Sequence, residues 1–177
     1  MSLRRKLFIA WASSVSVALP VSSAPSAVLN VPVAARIISF VQPAPVGNIP
    51  VAIIYQPGNA GSEAEASDME RALLHGGTFG RVTFRSRRVP VADLGQMSGA
   101  RAAFVTSGLR SYQADVAAAA SAQAILTITS DTSCVSAGRC VVGITEGNKT
   151  QIVVSREAAR RNHIRFGSAF LMLVKEI

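Results

Sequence analysis

Three short and largely apolar runs constrain this chain more than any other feature. They are residues 49–55 (IPVAIIY), 101–106 (RAAFVT) and 124–129 (AILTIT). A strand with one wet face alternates apolar and polar residues, whereas a continuous apolar run is expected of a strand buried on both faces. Such strands need helices above and below them, and helical segments do separate the runs. Residues 63–75 (EAEASDMERALLH) read as a helix with Ser62 as candidate cap and Gly76-Gly77 as its stop. Residues 109–123 read as an alanine-rich helix. Ahead of all of them, residues 32–41 (PVAARIISFV) place Val33, Ile37, Phe40 and Val41 on one helical stripe, which Pro43 ends.

The remaining segments differ in texture. Residues 80–89 (GRVTFRSRRV) alternate as a strand, with Arg81, Thr83, Arg85 and Arg87 on one face and Val82 and Phe84 on the other. Residues 139–146 (RCVVGITE) and 149–155 (KTQIVVS) are two strands joined at Gly147-Asn148, a dipeptide suited to a tight hairpin. Ser155 caps a following helix in which Glu157 and Arg161 form the attractive i,i+4 pair. The last segment, 166–177, places Phe170, Leu171 and Val174 on a helical face. The predicted fold class is therefore α/β: a layered domain with a mostly parallel sheet flanked by helices, and a C-terminal β-hairpin followed by two helices.

The N-terminus reads as an address. Met1 to Lys6 is basic, residues 7–19 are a thirteen-residue apolar run, and small residues follow in 21–27 (VSSAPSA). That three-part pattern is a secretory signal peptide, and the run is shorter than the ~20 residues a spanning helix needs. An uncleaved anchor helix is the alternative. The expected division is a signal peptide over 1–26 and a single domain over 27–177. Secretion puts Cys134 and Cys140 in an oxidising compartment, where a close pair favours a disulfide over two free thiols or half of a metal site.

Charge and composition exclude several functions. The net charge is +8, and removing Arg4, Arg5 and Lys6 leaves about +5, a mild excess that does not imply nucleic acid. Aromatics at 6% argue against stacking platforms for single strands. No G-x-S-x-G elbow, S-x-x-K, H-E-x-x-H or P-loop occurs, and Ser130-Asp131-Thr132 lacks the partners that would make it catalytic. His75 and His163 read as solvated surface residues. With two histidines and two cysteines, no metal or cofactor is expected. The loop 58–62 (GNAGS) could cradle an anion at a helix N-terminus, but Glu63 and Glu65 behind it would repel one. Asn148-Lys149-Thr150 has the form of a glycosylation sequon in what reads as a bacterial hairpin. The most suggestive surface feature is the basic stripe Arg81, Arg85, Arg87 and Arg88. It reads either as a solvated face protecting an edge strand or as a docking surface for an acidic partner.

The C-terminal third resembles the YfiR-like periplasmic family. The matching residues are ILTITSD (125–131), Gly138, VVGI (141–144) and IVVSREAARRNHIRFGSAFLMLV (152–174), with Phe40-Val41-Gln42-Pro43 closing the first helix. Gln42 stands where the family commonly has Trp, and Ser155 where it prefers Asn, so the chain resembles a divergent member. The resemblance implies a non-enzymatic periplasmic repressor that binds the periplasmic sensory part of a membrane-bound diguanylate cyclase. It also implies release of the cyclase when an outer-membrane lipoprotein sequesters the repressor, a homodimer, and a disulfide flanking the glycine turn, which Cys134 and Cys140 would match. The family's second cysteine pair is absent. The alternative function is a small-molecule binding module, with a ligand beyond the carboxyl ends of the strands near residues 56–61 and 106–109.

Overall fold

The computed structural model describes residues 28–76, 78–79 and 82–177. The expected signal peptide over 1–26 therefore lies outside the described residues, as does Arg81. The first helix, α1 (Val31–Ile38), starts where the Asn30 side chain accepts the Val33 N–H and Pro32 opens the first turn. Strand β1 (Gly47–Tyr55) and the 17-residue helix α2 (Ala60–Gly76) follow. A two-residue strand β2 (Thr78–Phe79) leads into β3 (Val82–Pro90) and then a 3-10 segment (Val91–Met97). Beyond it lie β4 (Ala102–Val105), α3 (Gln113–Ala122), β5 (Leu126–Thr129) and the short α4 (Thr132–Ser136). The chain ends with β6 (Val142–Thr145), β7 (Gln151–Val154), α5 (Arg156–Arg161), α6 (Ser168–Leu171) and β8 (Lys175–Glu176).

One sheet collects all eight strands in the order β2-β3-β1-β4-β5-β6-β7-β8. Its centre, β3-β1-β4-β5-β6, is parallel throughout, while β2 and β7 are antiparallel to their neighbours β3 and β6. Alternate residues of β1 show why the run is continuously apolar. Val51 and Ile53 pack with α1 and α2, whereas Ala52 and Ile54 pack with the 3-10 segment and α3 on the other side. Phe104 and Val105 divide in the same way on β4. Both faces are dry, as a parallel sheet requires.

The N- and C-terminal parts close on each other across the α1 face. Phe40 stacks on Phe170 at 5.1 Å between centroids, Phe166 lies 4.9 Å from Phe170, and the Gln42 N–H donates to the Arg165 carbonyl at 2.8 Å. This clasp corrects one expectation. The final segment 166–177 is not a continuous helix: only Ser168–Leu171 is helical, and Lys175–Glu176 pairs with Val153 and Val154 of β7. Three apolar positions in a short segment fit a helix, but the open edge of β7 offers the last residues backbone partners. Phe170, expected on the helical face, is buried in the core.

Other differences are local. The hairpin joining β6 to β7 has five residues between paired ends rather than a two-residue turn. Asn59, not Ser62, receives the Ser62 N–H and so caps α2; Ser62 is buried one turn in. Cys134 sits in α4, not at a strand end. Asp131 caps that helix by accepting the Ser133 N–H. Cys134 and Cys140 are joined by a disulfide, and both are buried. Between them Gly138 takes φ +65°, where a side chain is strained and its Cβ would meet the Glu157 carboxylate at 3.1 Å. Arg161 donates to the Gly138 carbonyl and pairs with Glu157 at 3.1 Å, tying α5 to the bridged loop.

Replacing both cysteines by serine should lower unfolding stability by about 2 kcal/mol, because the bridge closes a short loop in the unfolded chain. Urea unfolding of the wild type and the double variant checks this; equal midpoints would show that the bridge contributes nothing.

Candidate functional site

In a doubly wound sheet the crevice for ligands lies at the carboxyl ends of the strands, where successive crossovers leave in opposite directions. Here that point falls between β1 and β4. Helix α2 packs on one face after β1, and α3 packs on the other after β4. The loops meeting there are 56–59 and 106–109, with Ser130 and Asp131 following β5 beside them. The two loops approach closely: a Cβ on Gly108 (φ +84°) would sit 3.5 Å from the Asn59 amide nitrogen.

Hydroxyls and one carboxylate hold the crevice closed. The Gln56 N–H donates to Ser62 Oγ at 2.9 Å, and Ser62 Oγ lies 2.7 Å from Thr106 Oγ1. Because Thr106 donates onward to the Ile54 carbonyl at 3.0 Å, the Ser62 hydroxyl is the donor to Thr106. Glu65, one turn further along α2 and only 4% exposed, is the centre. Its Oε2 accepts from the Ser107 N–H at 2.6 Å and the Ser107 hydroxyl at 2.8 Å, and its Oε1 accepts from Ser130 Oγ at 3.3 Å. Burial pushes the Glu65 carboxyl above the usual carboxylate range; the donors from Ser107, Ser130 and the Leu29 backbone act against that rise. Glu63 likewise accepts the Gly58 N–H at 2.9 Å. Of the two acids expected to repel an anion, Glu63 accepts one amide of the 58–62 loop and Glu65 accepts the Ser107 amide in the neighbouring loop.

Sequence reasoning missed this cluster, since Glu65 was read only as a charge behind the 58–62 loop that would repel an anion. The available signal was the polar pair closing two of the apolar runs, Thr106-Ser107 and Ser130-Asp131. Asp131 is held in turn by Gln113, whose amide donates to it at 2.9 Å from α3. No group of three or more His, Cys, Asp or Glu with metal-site geometry occurs among the described residues. His75 and His163 are exposed and far from one another in sequence and element.

The arginines of β3 do not share one surface. Arg85 and Arg87 are exposed on the face opposite Phe84, and Arg87 donates to the Ser98 carbonyl at 3.0 Å. Arg88 lies on the α2 side, half-buried, where it binds Glu70 at 3.0 Å and Ser67 Oγ at 2.8 Å. Cys134, within α4, and Cys140 stand on the α3 side of the sheet.

A carboxyl whose folded value is raised binds its proton more tightly in the folded chain, so its stabilisation is complete at low pH and is lost as pH rises through the raised value. Wild-type stability relative to E65Q should therefore fall as pH rises above the ordinary glutamate value of about 4. A difference in urea midpoint that stays flat as pH rises contradicts the assignment. E65A, which strands the Ser107 and Ser130 donors, should cost about 1–3 kcal/mol.

Comparison with known proteins places this geometry. Among solved structures, similar folds occur in a conserved domain protein from Vibrio cholerae O1 biovar El Tor (TM-score 0.63, 14% identity). Another is an ABC domain from Streptococcus pneumoniae in complex with L-Trp (TM-score 0.60, 12% identity). The first match covers 83% of this chain and 60% of that one, and the second covers 80% and 58%. The chain thus spans about three-fifths of each, and the likeness establishes an α/β fold. No curated protein matches. The sequence model of the YfiR/HmsC-like family matches residues 35–175, which take in β1 to β7, the first residue of β8 and the second half of α1. The chain belongs to the YfiR/HmsC-like family.

Proposed function

We propose that the protein is a non-enzymatic periplasmic regulator that binds the periplasmic sensory part of a membrane-bound diguanylate cyclase and restrains it, lowering cyclic di-GMP. The observation that carries this reading is the family match over residues 35–175, which suggests a periplasmic regulator of such a cyclase. The N-terminal sequence, with its basic start and apolar run, agrees with export. The crevice geometry also supports it. Glu63 and Glu65 place two carboxylates on the crevice loops, at the Gly58 and Ser107 amides, which disfavours an anionic substrate or ligand there.

Restraint by contact is a shift of population. The regulator lowers cyclase output by as much as it prefers the inactive sensory state to the active one, and removing it frees the enzyme. An outer-membrane lipoprotein competing for the regulator would serve as the release, and two copies of the chain would form the working unit. The exposed Arg85 and Arg87 on β3 supply a cationic strip that would speed association with an acidic sensory surface. Arg88, engaged with Glu70, serves the fold first.

Deleting the gene should raise intracellular cyclic di-GMP, and the wild-type gene should restore it. R85E/R87E should restore it incompletely, with affinity for the sensory part down about tenfold and a weaker dependence on salt. Unchanged cyclic di-GMP on deletion, together with a thermal shift by amino acids or other metabolites, would replace this reading with that of a small-molecule binding module.

A further inference from the structure

A second surface lies at the far edge of the sheet, beside β8. A groove of about 450 Å³ runs between α5 and the clasp segment, with an apolar floor of Val154, Ile164, Phe166 and Leu171. Arg156, Arg160 and Arg165 stand around it. Glu176, the one acid lining the groove, is bound to Arg156 at 3.4 Å. Arg160 and Arg165 are exposed and meet no carboxylate among the described residues. Met172 and Leu173 are 80% and 79% exposed on the link from α6 to β8.

We propose that this groove docks an acidic protein segment that inserts one apolar anchor side chain between Ile164, Phe166 and Leu171. The proposal rests on the regulatory reading above and names the kind of surface the sensory part must present. Charge complementarity selects the occupant. Arg160 and Arg165 supply two unmatched cations above an apolar floor, so acidic residues flanking a buried anchor would meet both, the arrangement of a central hot spot with a charged rim. A second copy of this chain is disfavoured there, because a two-fold contact would set Arg160 and Arg165 against their own counterparts. A bilayer is disfavoured by shape, because the apolar floor lines a groove rather than a flat face. The groove at β8 and the Arg85–Arg87 strip near β2 lie toward opposite edges of the sheet, so each can be altered alone.

The test compares wild type with R160E/R165E, two exposed changes that leave the apolar floor intact. Binding is read by fluorescence anisotropy against the soluble sensory segment of the cyclase whose output the wild type lowers. Phosphatidylglycerol vesicles are the second probe. The expected result is binding to the segment at least tenfold weaker, with an equal loss when the segment's own acidic residues are changed to lysine. Segment binding within twofold of wild type, or a loss confined to the vesicles, overturns the docking site and leaves the regulator standing. A wild-type chain that lowers no cyclase's output removes the regulator, and the groove's partner with it.

Discussion

Burial of a parallel sheet on both faces is the constraint on which everything else in this protein rests. β1 and β4 have apolar side chains in both directions, and β5 buries Leu126 and Ile128 on one face and Thr127 and Thr129 on the other, so neither face can meet water. Helices α1, α2, α5 and α6 cover one side, and the 3-10 segment, α3 and α4 cover the other. The crossovers that do this bring the carboxyl ends of the strands together at one crevice. In many folds of this kind that crevice receives a ligand. In this chain Glu65 fills it, bridging α2 to the loops after β4 and β5 through Ser107 and Ser130. A buried carboxylate with three donors is a latch built into the sheet's working end, and it moves the search for function from the crevice to the surface.

The surface has a clear electrical character. Acids are scarce and several are spent internally: Glu65 and Glu63 on loop amides, Glu70 on Arg88, Glu157 on Arg161 and Glu176 on Arg156. Cations remain near both edges of the sheet, Arg85 and Arg87 toward one and Arg160 and Arg165 toward the other. Such a distribution suits a protein that works by holding an acidic partner, because charge hastens encounter and an apolar centre slows release.

Much of the architecture was legible in the order of residues, and the reasons for the remainder are specific. Within the runs at 49–55 and 101–106 successive positions are apolar because two layers contact them, so α/β layering followed from them directly, whereas in 124–129 Thr127 and Thr129 alternate with Leu126 and Ile128. The ion pair of Glu157 with Arg161 and the Ser155 cap were local, hence readable. The end of the chain was not, because the fate of 172–177 depends on β7, which leaves an open edge only after the sheet has formed. Helix α4 is five residues long, too short for periodicity, although the Asp131 cap marked its start. The partners of Glu65 were hidden for a similar reason. Nothing near it in sequence shows that three donors from Ser107 and Ser130 converge on it.

The central claim is restraint of a cyclase by direct contact, and reconstitution tests it most directly. The measurement is conversion of GTP to cyclic di-GMP by the purified full-length membrane cyclase in nanodiscs, with this protein added. The account predicts a saturable fall in turnover that is relieved as salt rises. Turnover unchanged at saturating protein, with the cyclase otherwise active, would contradict it.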